Sequence, residues 1–334
     1  MTAPSALKPA ADFLLIGGGF FGYAKEIAAT LERRDRKVRW FEDRPAVDNL
    51  TKVLVRLAPA LVSANAEAYF DSIIEAVRSQ PIRDVLVIKG ESLSPAAIRR
   101  LRHALPQARF TLYFWDSYRN MPANSVEKVS LFDKAFSFDP LDAAADSRLS
   151  YRPLFFLDEY AHLPQVAHDI DVLFFGTVHT DRYRVLKRLE RVLPANLRFE
   201  KVLYFPSTAV YRARRVFAPA FWRARRDEFV FRPLGKGEIQ ALIGRARIVV
   251  DVERSIQAGL TMRTVEMLGA GKKLITTNPQ ALLADFFDPS NVAVIDRLRP
   301  ALPAGFLSAP YVVQPAERLQ RYSLSGWLDE VLAR

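Results

Sequence analysis

Thr261 and Glu266 stand five residues apart in RIVVDVERSIQAGLTMRTVEMLGAGKKLITTN, residues 247–278. The stretch reads as a buried strand, a polar loop, a helix entered through Gly259-Leu260-Thr261, a glycine turn and another buried strand. Backbone N–H groups and the positive dipole end at such a helix start favour an anion. Glu266 lies about one and a half turns into the helix. There its carboxylate can accept hydrogen bonds from ribose hydroxyls while the helix start holds a diphosphate. An ordinary βαβ turn with a surface glutamate carries the same pattern, since ligands occupy only some of these loops. Arg263, on the first turn, is a further phosphate candidate. Gly176-Thr177 closes another apolar run, and Arg182 follows just inside a helix. A glycine there lets backbone approach a ligand, and an arginine can bind phosphate oxygens bidentately. Thr276, Thr277 and Asn278 end the next strand on the side of Thr261. Lys272 and Lys273 rank lower, as a complement to a helix C-terminus.

The first half of the chain offers other chemistry. Gly17, Gly19 and Gly22 match G-x-G-x-x-G between a strand and a helix, with Glu42 or Asp43 at the end of the next strand. That is the arrangement of an NAD or FAD site, with the acid on ribose. Glycines that merely permit a tight turn and close helix packing explain it equally, and Phe20 and Phe21 fill its variable positions. Asp116 ends the run TLYFW, where a carboxylate can act as general base toward a hydroxyl or cap the following turn. Lys89 and Glu91 sit at a neighbouring strand tip. His103, His162, His168 and His179 lack zinc-like spacing, and Asp169–Asp171 enters a strand instead of leaving one, so no metal site is expected. There is no G-x-S-x-G elbow and no Walker loop.

The elements that must position these residues alternate between short apolar runs and helical stretches. Runs at 13–16, 37–43, 84–90, 109–116 and 134–140 are separated by helices such as 67–78 and 95–105. Residues 151–170 carry two prolines and break the rhythm, which restarts with DVLFFGT at 171–177 and continues through LRFEKVLYF and NVAVID. Such alternation predicts parallel sheets covered by helices. We expect two doubly wound Rossmann-like domains facing each other across a cleft. The boundaries expected are 1–150, a connection at 151–170, a second domain at 171–315 and a helical segment at 316–334 anchored by Trp327.

The chain has 334 residues, half of them hydrophobic and a quarter charged, which suits a globular protein with two cores. It has no cysteine, which excludes disulfides and thiolate sites. No run reaches membrane-spanning length, so a cytoplasmic location is expected. The net charge is +11, and Arg212, Arg214, Arg215, Arg223, Arg225 and Arg226 cluster without an intervening acid. Val216, Phe217, Phe221 and Trp222 are interleaved with them, a composition suited to an anionic membrane face or to a solvated basic surface. Pro219 interrupts any single helix there. No nucleic-acid-binding signature accompanies the arginines, and nucleic acid is not an expected partner.

LLIGGGFFGYAKEI, DVLFFGTVHTDRYRVLKRL, GLTMRTVEMLGAGKKLITTN and RYSLSGWL together resemble the GT-B glycosyltransferases, in particular a branch of bacterial capsule, lipopolysaccharide and exopolysaccharide synthesis. The resemblance spans nearly the whole chain. It implies an enzyme of the hexosyltransferase type with two Rossmann-like domains. It implies a nucleotide-diphosphate sugar as donor substrate, a saccharide acceptor that is lipid-linked, no cofactor and no metal. Gly176, Thr177, Arg182, Gly259, Leu260, Thr261 and Arg263 are then the diphosphate site and Glu266 the ribose ligand. Gly17, Gly19, Phe20, Gly22 and Lys89 fall on the acceptor side, with Asp116 as base. The family's E-x7-E motif is matched at its second position by Glu266, but its first falls on Ala258. Gln257 and Glu253 are the available substitutes for the donor-sugar contact. The alternatives are an NAD(P)- or FAD-dependent oxidoreductase using Gly17, Gly19, Gly22 and Glu42, and a catalytically silent binding protein of the same fold.

Overall fold

A computed structural model of the chain describes residues 10–19, 22–45, 59–122, 124–164, 166–178, 181–254 and 256–334, with backbone alone for 59–64. Phe20 and His179 lie outside the described residues. The chain forms two compact units, Met1–Pro153 with Trp327–Arg334, and Leu154–Gly326. Each is an α/β, doubly wound Rossmann-like unit with a six-stranded parallel sheet and flanking helices.

In the first unit β1 (Phe13–Ile16) leads to α1 (Tyr23–Glu32) and β2 (Val38–Phe41). Then come α2 (Pro59–Val77), β3 (Asp84–Ile88), α3 (Pro95–Ala104), β4 (Arg109–Phe114), β5 (Lys134–Ser137) and the two-residue β6 (Ser150–Tyr151). All four residues of β1 are buried, as expected of a parallel strand covered on both faces. Phe70, Ile73 and Val77 of α2 and Ile98 and Leu101 of α3 join the core with Val85, Val87, Phe110 and Leu112 of β3 and β4. α3 begins where a side chain can replace the missing helical acceptor: Ser94 accepts from the Ala97 N–H at 3.0 Å, with Pro95 in the first turn. The strand order β2-β1-β3-β4-β5-β6 reverses direction between β1 and β3.

The second unit runs β7 (Ile170–Thr177), α4 (Arg182–Val192), β8 (Phe199–Tyr204), α5 (Thr208–Phe217), β9 (Phe229–Val230) and α6 (Lys236–Arg245). β10 (Ala246–Asp251), α7 (Met262–Gly269), β11 (Lys273–Thr276), β12 (Val292–Val294) and α8 (Ala316–Tyr322) follow. The order β12-β11-β10-β7-β8-β9 reverses between β7 and β10, so the chain ends of those two strands flank the crevice where open α/β sheets take ligands. Residues 154–169, read from the sequence as connection, belong to this unit and touch α7. A Cβ at Gly269 would lie 2.5 Å from Cγ of Phe156, so only glycine lets α7 settle on that ring.

A break at Ser323 separates α8 from α9 (Leu324–Val331), and from Trp327 onward the chain belongs to the first unit. Trp327 is fully buried edge-on to Tyr113 at 4.7 Å. Beside it the buried Arg152 pairs with Glu330 at 2.7 Å.

Candidate functional site

Gly176, the last residue but one of β7, has φ +144°, a backbone conformation that side chains rarely adopt, and it lies beside two guanidinium groups. A Cβ there would lie 3.4 Å from Nη2 of Arg263 and 3.6 Å from Nη1 of Arg182. Arg182, on the first turn of α4, donates from Nε to the Val252 carbonyl at 2.9 Å and from Nη1 to the Thr177 carbonyl at 2.8 Å. Arg263, on the first turn of α7, donates from Nη2 to the Phe175 carbonyl at 2.7 Å and lies over the Phe175 ring at 4.1 Å. The two residues therefore arrive from helices that follow β7 and β10, the strands flanking the topological switch. Burial, and then the neighbouring Arg263 charge, hold Arg182 down to about 10.

A carboxylate faces Arg263. Asp251, at the tip of β10, is buried, with Oδ1 3.6 Å from Nη1 of Arg263. Its Oδ2 accepts from the Thr261 hydroxyl at 2.5 Å and the Thr264 hydroxyl at 3.2 Å. Thr261 caps α7 by accepting from the Thr264 N–H at 3.2 Å. Glu253 also acts electrostatically on Arg182, and the start of α7 adds the positive end of its dipole beside the two guanidiniums. Nε of Arg263 is buried without a hydrogen-bond partner among the described residues. A half-buried pair of arginines with an unmatched donor is suited to a multiply charged anion with several acceptor oxygens.

Glu266 faces a different neighbour from the arginines. It is 5 % exposed and hydrogen-bonds with the hydroxyl of Tyr160, whose ionisation is pushed up by burial and then by the Glu266 charge. Glu253 does not stand open as a sugar ligand in place of Ala258. Its Oε2 accepts from the Thr277 hydroxyl and its Oε1 from Nη1 of Arg297 at 2.6 Å. Arg297 also grips Asp181 with Nε and Nη2 at 3.1 and 2.8 Å. Gln257 donates to the Gly259 carbonyl at 3.3 Å, and buried Asn278 donates to the carbonyls of Ala258 and Gly259 at 3.2 and 3.1 Å. Gly259 and the buried Leu260 are thereby held where the loop enters α7. Lys273 starts β11 and donates to the Phe306 and Ala309 carbonyls, so it sits at the opposite strand end from Thr276. Lys272 donates to the Gly244 carbonyl at 2.9 Å, and burial lowers it to about 8.

In the first unit Gly17 and Gly19 are engaged by side chains of β2 and the residue after it. Glu42 accepts from the Gly19 N–H at 2.8 Å, and a Cβ at Gly19 would lie 2.6 Å from its Oε1. Trp40 donates to the Gly17 carbonyl at 2.9 Å, while Gly22 begins α1 at φ +81°. The acid that a dinucleotide enzyme keeps for ribose thus occupies the loop, and the oxidoreductase alternative gains no support. Lys89, across the switch at the end of β3, has φ +65° and pairs with Glu91 at 3.0 Å and Asp116 at 3.7 Å. Asp116 Oδ1 accepts from the Ser117 N–H at 3.1 Å and from Asn120 at 2.8 Å, leaving Oδ2 toward Lys89.

Asp251, Tyr160, Arg297 and Asn278 had no functional role in the sequence reading, apart from the strand-end position of Asn278. Asp251 carried a usable signal, an acid closing the buried run IVVD before the Gly-Leu-Thr entry. Tyr160 and Arg297 carried none, because their partners lie far away along the chain.

No protein-family model matches the chain, and no curated protein does. Solved structures do. A glycosyltransferase from Rickettsia africae aligns over 97% of this chain and 99% of its own, with 13% identity and a TM-score of 0.60. The UDP-forming α,α-trehalose-phosphate synthase of Burkholderia xenovorans, solved with glucose-6-phosphate, aligns over 96% and 99%, with 13% identity and a TM-score of 0.62. HepE of Anabaena, solved with UDP and glucose, aligns over 96% and 98%, with 12% identity and a TM-score of 0.56. The fold is GT-B.

Proposed function

We propose that the chain is a glycosyltransferase that moves a sugar from a nucleotide-diphosphate donor to a hydroxyl of a growing, lipid-linked bacterial surface saccharide at the inner face of the plasma membrane. The observation that carries this reading is the pair Arg182 and Arg263, desolvated together at the β7–β10 switch beside the start of α7. Proteins of the same fold solved with UDP, or described as UDP-forming, make uridine diphosphate the first donor moiety to test. The acceptor class rests on the resemblance to capsule and lipopolysaccharide enzymes.

Breaking the bond between sugar and diphosphate leaves negative charge on the departing diphosphate. Arg182, Arg263 and the backbone N–H groups from Gly259 to Thr261 stabilise that charge where it develops. The unmatched Nε of Arg263 supplies a donor for it, and the positive groups present serve the purpose for which other enzymes recruit a metal. Glu266 turns from Tyr160 to the ribose hydroxyls. Asp116 takes the proton of the acceptor hydroxyl through Oδ2, which lies 3.7 Å from Nζ of Lys89. Gly17, Gly19, Gly22 and Lys89 line the acceptor side.

The test is Glu266→Ala in a donor titration. Loss of hydrogen bonds to a charged carboxylate is expected to raise donor KM about 10- to 100-fold. Unchanged donor affinity and turnover would remove Glu266 from the ribose site.

A further inference from the structure

α5 inverts the usual arrangement of a surface helix. Val210, Ala213, Val216 and Phe217 fall at i, i+3, i+6 and i+7, which places them on one stripe. Such a stripe ordinarily faces the core. Here it faces solvent: Phe217 is 85% exposed, Val216 65% and Val210 41%. Trp222, 60% exposed, joins them by donating its indole N–H to the Val216 carbonyl at 3.3 Å. The opposite side of the helix is fixed. Tyr211 is buried, donates to the Ala224 carbonyl at 3.0 Å and packs with Phe205 and Phe229 at 5.7 and 5.2 Å. Phe221 is buried beside them, so the turn carrying Trp222 is pinned as well. The helix ends at Phe217, ahead of Pro219, so the large apolar groups gather at its C-terminal end.

Arginines border this stripe. Arg212 lies on one flank and Arg214 on the other, Arg215 is exposed farther round toward the Tyr211 side, and Arg223 follows Trp222. None of the four side chains makes an ion pair or hydrogen bond among the described residues, whereas Arg225 pairs with Asp227 and Arg226 lies over the Phe231 ring at 5.1 Å. Scattered apolar residues on a surface need no explanation, but a contiguous exposed cluster does.

We propose that the face formed by α5 and the turn through Arg223 docks on an anionic lipid bilayer. Phe217, Val216 and Trp222 enter the boundary between headgroups and acyl chains, and Arg212, Arg214, Arg215 and Arg223 lie on the phosphates. An apolar wedge bordered by cations matches the layered chemistry of that surface, apolar below and negative above. Nucleic acid or an acidic protein satisfies the arginines but gives the apolar stripe nowhere to go. The surface is independent of glycosyl transfer and is tested without donor or acceptor.

The test is co-sedimentation of the full chain with vesicles, either pure phosphatidylcholine or a mixture containing about one-third phosphatidylglycerol. Binding to the anionic vesicles alone is expected. Replacing Arg212, Arg214, Arg215 and Arg223 by Gln should weaken it about fivefold per arginine. Phe217→Ser with Trp222→Ser should remove the binding that survives raised salt, where screening has cut the electrostatic part. Five of the six positions are exposed and the sixth, Arg214, is half-buried with no side-chain hydrogen bond among the described residues, so far-ultraviolet circular dichroism of both variants should match the parent. Equal binding to neutral vesicles, full binding by the arginine variant, or binding to RNA with none to vesicles would overturn the proposal.

Discussion

Gly176, with φ +144°, turns the end of β7 in a way that favours glycine, and Arg263 and Arg182 pack within van der Waals distance of it. The arginines were legible in the sequence by position alone, each on the first turn of a helix that follows a buried strand. Their mutual approach was not, since it depends on β7 and β10 being neighbours although residues 178–245 separate them. A second residue carries a cost of its own. Asp43 is buried, neither carboxylate oxygen has a hydrogen-bond partner among the described residues, and Arg44 Nε stands 3.8 Å away. Burial raises its pKa above the ordinary 3.8. The folded state then binds its proton more tightly than the unfolded chain does. Stability therefore falls as pH rises from the ordinary carboxyl range through the raised value, and the loss persists at neutral pH. Asp43→Asn should gain about 1–3 kcal/mol at neutral pH and nothing below the ordinary carboxyl range. Urea denaturation at both pH values checks this, and an equal gain at both would show that charge is not the cause.

Arg297 acts at the scale of elements. It follows β12 and joins Asp181 after β7, Glu253 after β10 and Thr277 after β11, so one guanidinium ties the chain ends of four strands. Glu253 is 4% exposed and pushed up by burial, which makes the arginine its necessary counter-charge. Arg297→Gln leaves that carboxylate buried without it. A stability loss of about 3–5 kcal/mol is expected by chemical denaturation, with much of it recovered when Glu253→Gln is added. A loss within experimental error would mean that the strand ends hold their places unaided. The apolar runs that became the long strands were legible because both faces of a parallel sheet are covered. β6 and β9 were not, as two-residue edge strands carry no run to read. For α5 the position of Pro219 foretold the break, but periodicity has no direction, and only packing shows that the stripe faces solvent.

Across the whole molecule, alternating runs and helices announced two doubly wound units, and the two sheets together with the solved structures of the same fold establish GT-B. The chain order of the strands could be read, whereas their spatial order, which creates each switch point, could not. That order is why Thr261, Arg182 and Arg263 come together at one sheet end while Lys273, in the same motif, lies at the other strand end. Among the positive groups stand a half-buried pair, Arg182 and Arg263, and an exposed helix face. The central claim is that the second unit binds the diphosphate of a nucleotide sugar through that pair. Calorimetric titration with UDP and GDP, beside NADH and NADPH, tests it most directly. One nucleoside diphosphate should bind, the reduced dinucleotides should not, and Arg263→Gln should weaken binding about 10- to 100-fold without unfolding the chain. Binding of NADH or NADPH with neither diphosphate, or unchanged diphosphate affinity in the variant, would contradict the account.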